Sequence, residues 1–140
     1  MAVETIEICL RAWATGEITG ANFFHALGLT PDDEWESSAG TNESQTALIY
    51  FVNEEFASYQ DSPEPEEAFS SMIEERLLRA AEWLLSREVH AFERCRESGL
   101  KTDVFIGGWI DQDQFDLSLP ASFLFACGRA GLPIEIVTND

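Results

Sequence analysis

The chain has 140 residues, 26 of them acidic and 8 basic, for a formal net charge of −18. Hydrophobic residues make up 45 % and aromatics 11 %, an ordinary composition for a folded protein that excludes a disordered acidic tail. The length suits one domain over residues 1–140, and the acidity excludes direct binding to nucleic-acid backbones and anionic membrane surfaces, which repel it.

Glu4 to Ala14 reads as a strand, because Ile6, Ile8 and Leu10 alternate with Glu7, Cys9 and Arg11. Thr19 to Leu27 predicts a short helix with Thr19 as cap and Gly28 as terminator. An acidic loop over about 31–45 follows, with a single tryptophan, Trp35. Thr46 to Val52 is a nearly unbroken apolar run, the pattern of a strand covered on both faces. Ser62-Pro63 followed by three glutamates marks a helix start, with Ser62 as cap and Pro63 in the first turn. The helix beyond it predicts a buried stripe of Phe69, Met72, Ile73, Leu77, Ala80, Ala81 and Leu84. Its register slips near Ser86-Arg87, so the segment to Gly99 is one kinked helix or two consecutive ones. Val104 to Ile110 predicts a strand in which Gly107-Gly108 signals a bulge or a close backbone approach. Pro120 to Ala130 predicts a helix with Ser118 as cap and Gly131 as stop, and Leu132 to Val137 a last strand.

The order β-α-β-(long α)-β-α-β predicts an α+β fold, with a mixed sheet of about four strands and helices mainly on one face. Residues 20–28 and 120–128 align without gaps, sharing Ala, Phe, Ala and Gly at four positions, which is a weak internal echo. The segment Met1 to Glu7 lacks the features of a secretory signal, and no apolar run approaches the ~20 residues of a membrane helix. Cys9, Cys95 and Cys127 form no short-range pairing pattern and read as buried free thiols, so the expected setting is a reducing cytoplasm.

The charge is unevenly placed. Up to residue 70 it sums to −13, with Arg11 the one cation, and from residue 71 onward it sums to −5. An acidic face complementary to a basic protein follows as one reading. Its candidate contacts are Asp32, Asp33, Glu34 and Glu36 around Trp35, with Glu54 and Glu55 near Tyr59. An aromatic side chain ringed by carboxylates suits a binding hot spot, provided that the ring is exposed.

Catalytic and metal signatures are scarce. His25 and His90 are far apart, no His/Cys/carboxylate spacing suits a metal, and there is neither a Gly-x-Ser-x-Gly elbow nor a phosphate-binding glycine loop. Asp111-Gln112-Asp113-Gln114-Phe115-Asp116 follows a strand, as the aspartyl nucleophile of phosphotransferases does. It lacks their Thr or Val after the second Gln, and it also fails the calcium-loop pattern at its sixth and twelfth positions. A polar turn explains it.

The series Leu84-Leu85, the acidic-amide turn at 111–114, Leu117-Ser118-Leu119-Pro120 and Ala130-Gly131-Leu132-Pro133-Ile134-Glu135-Ile136 resembles the bacterial domain of unknown function 4279 family. Leu27-Gly28-Leu29-Thr30-Pro31 fits the same pattern, whereas the loop from Asp32 to Ser44 departs from it. The resemblance implies an α+β fold and carries over no functional residues. Some small acidic proteins of similar build look like immunity proteins against bacterial toxins.

Two readings follow. In the first, the chain acts without cofactor or metal as an immunity- or inhibitor-type protein whose acidic surface occludes a basic toxin or nucleic-acid-binding enzyme. In the second, it is a small-ligand-binding or enzymatic domain. That reading places a pocket between sheet and helices, lined by Trp13, Tyr50, Phe105 and Trp109, with Asp111 or Asp113 as its polar element. A homo-oligomer using an exposed sheet face is a third, plainer option.

Overall fold

A computed structural model describes residues 3–14, 35–39, 46–110 and 117–138. It has an α+β architecture in which β1 (Val3–Ala14), β2 (Glu36–Ala39), β3 (Thr46–Glu55), β4 (Leu100–Ile110) and β5 (Ile134–Thr138) form one mixed sheet. The helices are α1 (Pro65–Leu85), α2 (Ala91–Glu97) and α3 (Ala121–Arg129), and a 3-10 turn spans Phe56–Tyr59. The strand order is β2-β3-β1-β4-β5. β1 pairs antiparallel with both β3 and β4, β2 pairs antiparallel with β3, and β5 runs parallel to β4. None of the described helices is long and apolar enough to cross a membrane. The predicted helix at 19–27, and with it the first copy of the internal echo, lies outside the described residues.

Strand alternation decides which face meets the helices. Ile6, Ile8, Leu10 and Ala12 of β1 are buried with Ala47, Ile49 and Phe51 of β3 and Val104 and Ile106 of β4. A bulge in β3 sits where Ile8 pairs with Val52 but Cys9 pairs with Tyr50. Phe51 is the extra residue, and the slip turns Phe51 and Val52 toward the same layer, where both are fully buried. The unbroken apolar run therefore marks a bulge and not a strand covered on both faces, since Leu48 and Tyr50 on its other face remain half-exposed.

α1 seals this layer with Phe69, Ile73, Leu77, Ala80, Ala81 and Leu84, a stripe at helical spacing whose large side chains contribute roughly 1.5–3 kcal/mol each. Met72 is only half-buried at the margin. The helix starts two residues later than its sequence suggests, with Pro65 rather than Pro63 in the first position and Glu64 as cap. It ends at Leu85, where the Ser86 hydroxyl donates to the Trp83 carbonyl at 2.7 Å and Arg87 Nε donates to the same oxygen at 3.2 Å. The long segment is thus two helices, and α2 buries Ala91, Phe92 and Cys95, while Val89 is exposed. α3 ends in a Schellman turn: Leu132 N–H donates to the Cys127 carbonyl at 2.8 Å and Gly131 N–H to that of Gly128 at 3.1 Å. Gly131 has φ +70° there, which is why glycine stops this helix. The cap of α3 is Pro120, without a side-chain bond, and not Ser118.

The sheet has five strands where four were expected. β2 falls inside the supposed acidic loop, and its sequence Glu-Ser-Ser-Ala has no apolar alternation to betray a strand. Its anchor is the preceding residue: Trp35 packs edge-on against Phe51 with ring centres 5.2 Å apart.

Candidate functional site

The alternate residues of the same strands form the face turned away from the described helices. Register arranges them in rows. Leu48, Arg11 and Asp103 share one row; Tyr50, Cys9, Phe105 and Glu135 the next; Asn53, Glu7, Gly107 and Val137 the third; and Glu55, Thr5 and Trp109 the last.

Arg11 holds the middle of this face. Its Nε donates to Asp103 Oδ1 at 2.9 Å, and Nη2 donates to Asp103 Oδ2 at 2.6 Å and to Glu135 Oε2 at 3.0 Å. The guanidinium lies over the Phe105 ring, 4.4 Å from its centre, and 5.3 Å from that of Trp13. Bidentate pairing and ring stacking are what a planar guanidinium does best. The hydrogen bonds to Asp103, foremost, hold the Arg11 pKa above its ordinary value.

Beyond Phe105 the third row has a gap. Gly107 carries no side chain, and a Cβ there would stand 2.6 Å from Phe105 Cε1, so the ring overhangs the glycine. Beside it lies a groove of about 250 Å³, with Phe105 and Trp109 at its walls and Glu7, Asn53, Thr5 and Val137 around it. Trp109 is 48 % exposed. A larger hollow of about 500 Å³ lies between the first half of α1 and residues 117–120, lined by Glu67, Ser70, Ser71 and Glu74.

Several sequence expectations are relocated. Trp13, Tyr50, Phe105 and Trp109 do share a face, but it is the face opposite the helices and not a pocket between sheet and helices. That interlayer space holds the fully buried rings of Phe51, Phe69 and Phe123. Of the four aromatics, Phe105 and Trp109 line the groove; Asp111 and Asp113 lie outside the described residues. Trp35 is only 6 % exposed and lies beneath Arg79, whose guanidinium is 5.8 Å from its ring centre. It is a core anchor and not an exposed hot spot ringed by acids. Asp32, Asp33 and Glu34 lie outside the described residues, Glu36 and Glu55 are exposed, and Glu54 faces Arg76 at 3.7 Å. Near the start of α1, a hydrogen bond with Glu64 foremost raises the pKa of Glu67, the mark of crowded negative charge. Sequence reasoning missed Glu7 and Gly107 as neighbours in one groove, although the alternation of β1 already put Glu7 on the face of Trp13.

The thiols belong to packing. Cys9, Cys95 and Cys127 are free and buried. Burial pushes Cys9 and Cys127 up to about 12, and for Cys9 the Glu7 carboxylate adds to it; Cys95 is raised by burial as well. Native protein at pH 8 should therefore react with a disulfide reagent such as DTNB more than about a hundredfold slower than a free thiol, and all three thiols should titrate on adding urea. The folded state keeps these protons above the ordinary thiol value near 9, so it binds more protons than the unfolded chain between pH 9 and about 12. Stability should be unaffected by the thiols below that window and fall as pH rises through it, which urea midpoints measured from pH 8 to 11 would show. Rapid native labelling at pH 8 would contradict both expectations.

Among the described residues no group of three His, Cys, Asp or Glu side chains is placed to hold a metal ion. His90 is exposed and pairs with Glu93 at 3.0 Å. Compared with protein-family models, curated proteins and solved structures, the chain matches none of them.

Proposed function

We propose that this chain acts by contact, as an immunity- or inhibitor-type domain that binds and occludes a basic protein. The observation that carries the reading is Trp109. It stands exposed at the end of a rigid sheet face, and Glu7, Glu55 and Glu135 occupy the rows around it. Large amphipathic rings are favoured anchors in protein interfaces, and flanking carboxylates in a chain of net charge −18 attract and orient a cationic partner. The hot spot expected at Trp35 is thus moved to a tryptophan that is accessible.

Affinity capture from native extract, followed by reconstitution with the purified captured protein, tests this. The expected partner is basic, and its dissociation constant should rise at least about tenfold between roughly 50 and 500 mM salt. Trp109→Ala should weaken it by about tenfold or more, while leaving the urea midpoint nearly unchanged. A partner bound with no dependence on salt or on Trp109 would overturn the reading.

A further inference from the structure

We infer that the groove over Gly107 is an arginine receptor: it takes the guanidinium side chain of a protein partner, with Glu7 as counter-charge and Phe105 and Trp109 as stacking walls. The inference rests on the protein-binding reading and names the side chain that this face selects.

The argument comes from repetition on the same face. One site is filled: the Asp103 carboxylate holds Arg11 by two hydrogen bonds while the Phe105 ring stacks on it. Four residues farther along each strand, two rows on across the face, a carboxylate and an aromatic ring recur. Here the carboxylate comes from β1, as Glu7 directly opposite Gly107, and Trp109 follows on β4 as the ring. A groove of about 250 Å³ lies beside them, with the Phe105 ring overhanging Gly107 as one wall, ample for one long side chain. Among the described residues lining it there is a carboxylate and no Lys or Arg. Glu7 accepts, among the described residues, a weak hydrogen bond from the neutral Cys9 thiol, 3.6 Å from Oε1, a contact that does not cancel its charge. Partly enclosed walls also favour arginine over lysine, because guanidinium is more weakly hydrated and stacks on rings, whereas ammonium keeps its water.

The probes are three blocked tripeptides, acetyl-Gly-X-Gly-amide with X as arginine, lysine or citrulline, titrated into the intact chain and followed by amide and indole NMR shifts. The arginine peptide should bind with a dissociation constant of about 1 mM, shifting the Trp109 indole and the amides of Gly107 and Gly108. Lysine should bind at least about threefold more weakly, and citrulline, the neutral isostere, should not saturate. Glu7→Gln and Trp109→Ala should each weaken the arginine peptide by about fivefold or more. Glu82→Gln, which removes an equal charge from the exposed side of α1, should leave it unchanged. Equal binding of citrulline and arginine, or an unaffected Glu7→Gln variant, would overturn the inference. The captured partner separates this from the broader reading: if it binds through Trp109 while the arginine peptide does not bind, only the arginine receptor fails.

Discussion

Phe51→Ala should destabilise the protein by about 4 kcal/mol, the largest effect of any substitution considered. The side chain is fully buried, and its ring is met edge-on by Trp35 at 5.2 Å and by Trp83 and Phe123 at 6.1 Å each. It therefore joins β2, α1 and α3 to the sheet through one residue. Truncation removes the transfer free energy of the ring, leaves a cavity that four elements cannot collapse into together, and loses three ring contacts worth roughly 0.5–1.5 kcal/mol each at most. Against a total stability of about 5–15 kcal/mol for a domain of this kind, that is roughly a quarter of it or more. Urea unfolding followed by tryptophan fluorescence would measure the effect, with the midpoint moving and the slope retained. Amide exchange in Glu36–Ala39 should accelerate beyond the global change, because Trp35 loses its partner. A shift below about 1 kcal/mol would show that the hub does not exist.

Asp103→Ala should cost about 3 kcal/mol, for a different reason. The Asp103 side chain is 5 % exposed and that of Arg11 24 %, so removing the carboxylate strands a largely enclosed guanidinium. Glu135, with a side chain 58 % exposed, offers one hydrogen bond in place of three. Breaking one side of a buried pair typically costs 3–5 kcal/mol, whereas replacing both partners with apolar groups is far less harmful. The double variant Arg11→Met, Asp103→Ala should therefore recover at least about 1 kcal/mol relative to Asp103→Ala alone, and a double-mutant cycle in urea would read it directly. A double variant less stable than either single one would mean that the pair acts mainly through its stacking on Phe105.

Most of the frame was legible in the chain because burial leaves periodic traces. β1 announced itself by the alternation of Ile6, Ile8 and Leu10, and α1 by the spacing from Phe69 to Leu84. β2 left no trace, since an edge strand of Glu, Ser, Ser and Ala is held by backbone bonds to β3 and by a tryptophan just outside it. The bulge at Phe51 hid for the opposite reason. Two adjacent apolar residues turned to one layer look the same in a sequence as two facing opposite layers. For the site, Trp13, Tyr50, Phe105 and Trp109 share a sheet face, the one turned away from the described helices, and only Phe105 and Trp109 line the groove. Parity already separated Trp13 from Ile6, Ile8 and Leu10, and following it would have moved the group to the face turned away from the described helices. Arg11, Asp103 and Glu135 were illegible, because the pairs are separated by 92 and 124 positions and surface-type residues carry no sign of whom they meet.

The place of β1 in the sheet also sets a clock for biosynthesis. The strand is translated first among the five, yet it lies between β3 and β4, and β4 begins only at Leu100. At about 5–20 residues per second, the ribosome needs roughly 5–20 s to travel from the end of β1 to the start of β4. Through that interval one edge of β1 has no strand to pair with, although α1, which covers Ile6, Ile8 and Leu10, is made before β4. Like charges on neighbouring nascent chains, dense over residues 1–70, would oppose pairing between those unpaired edges.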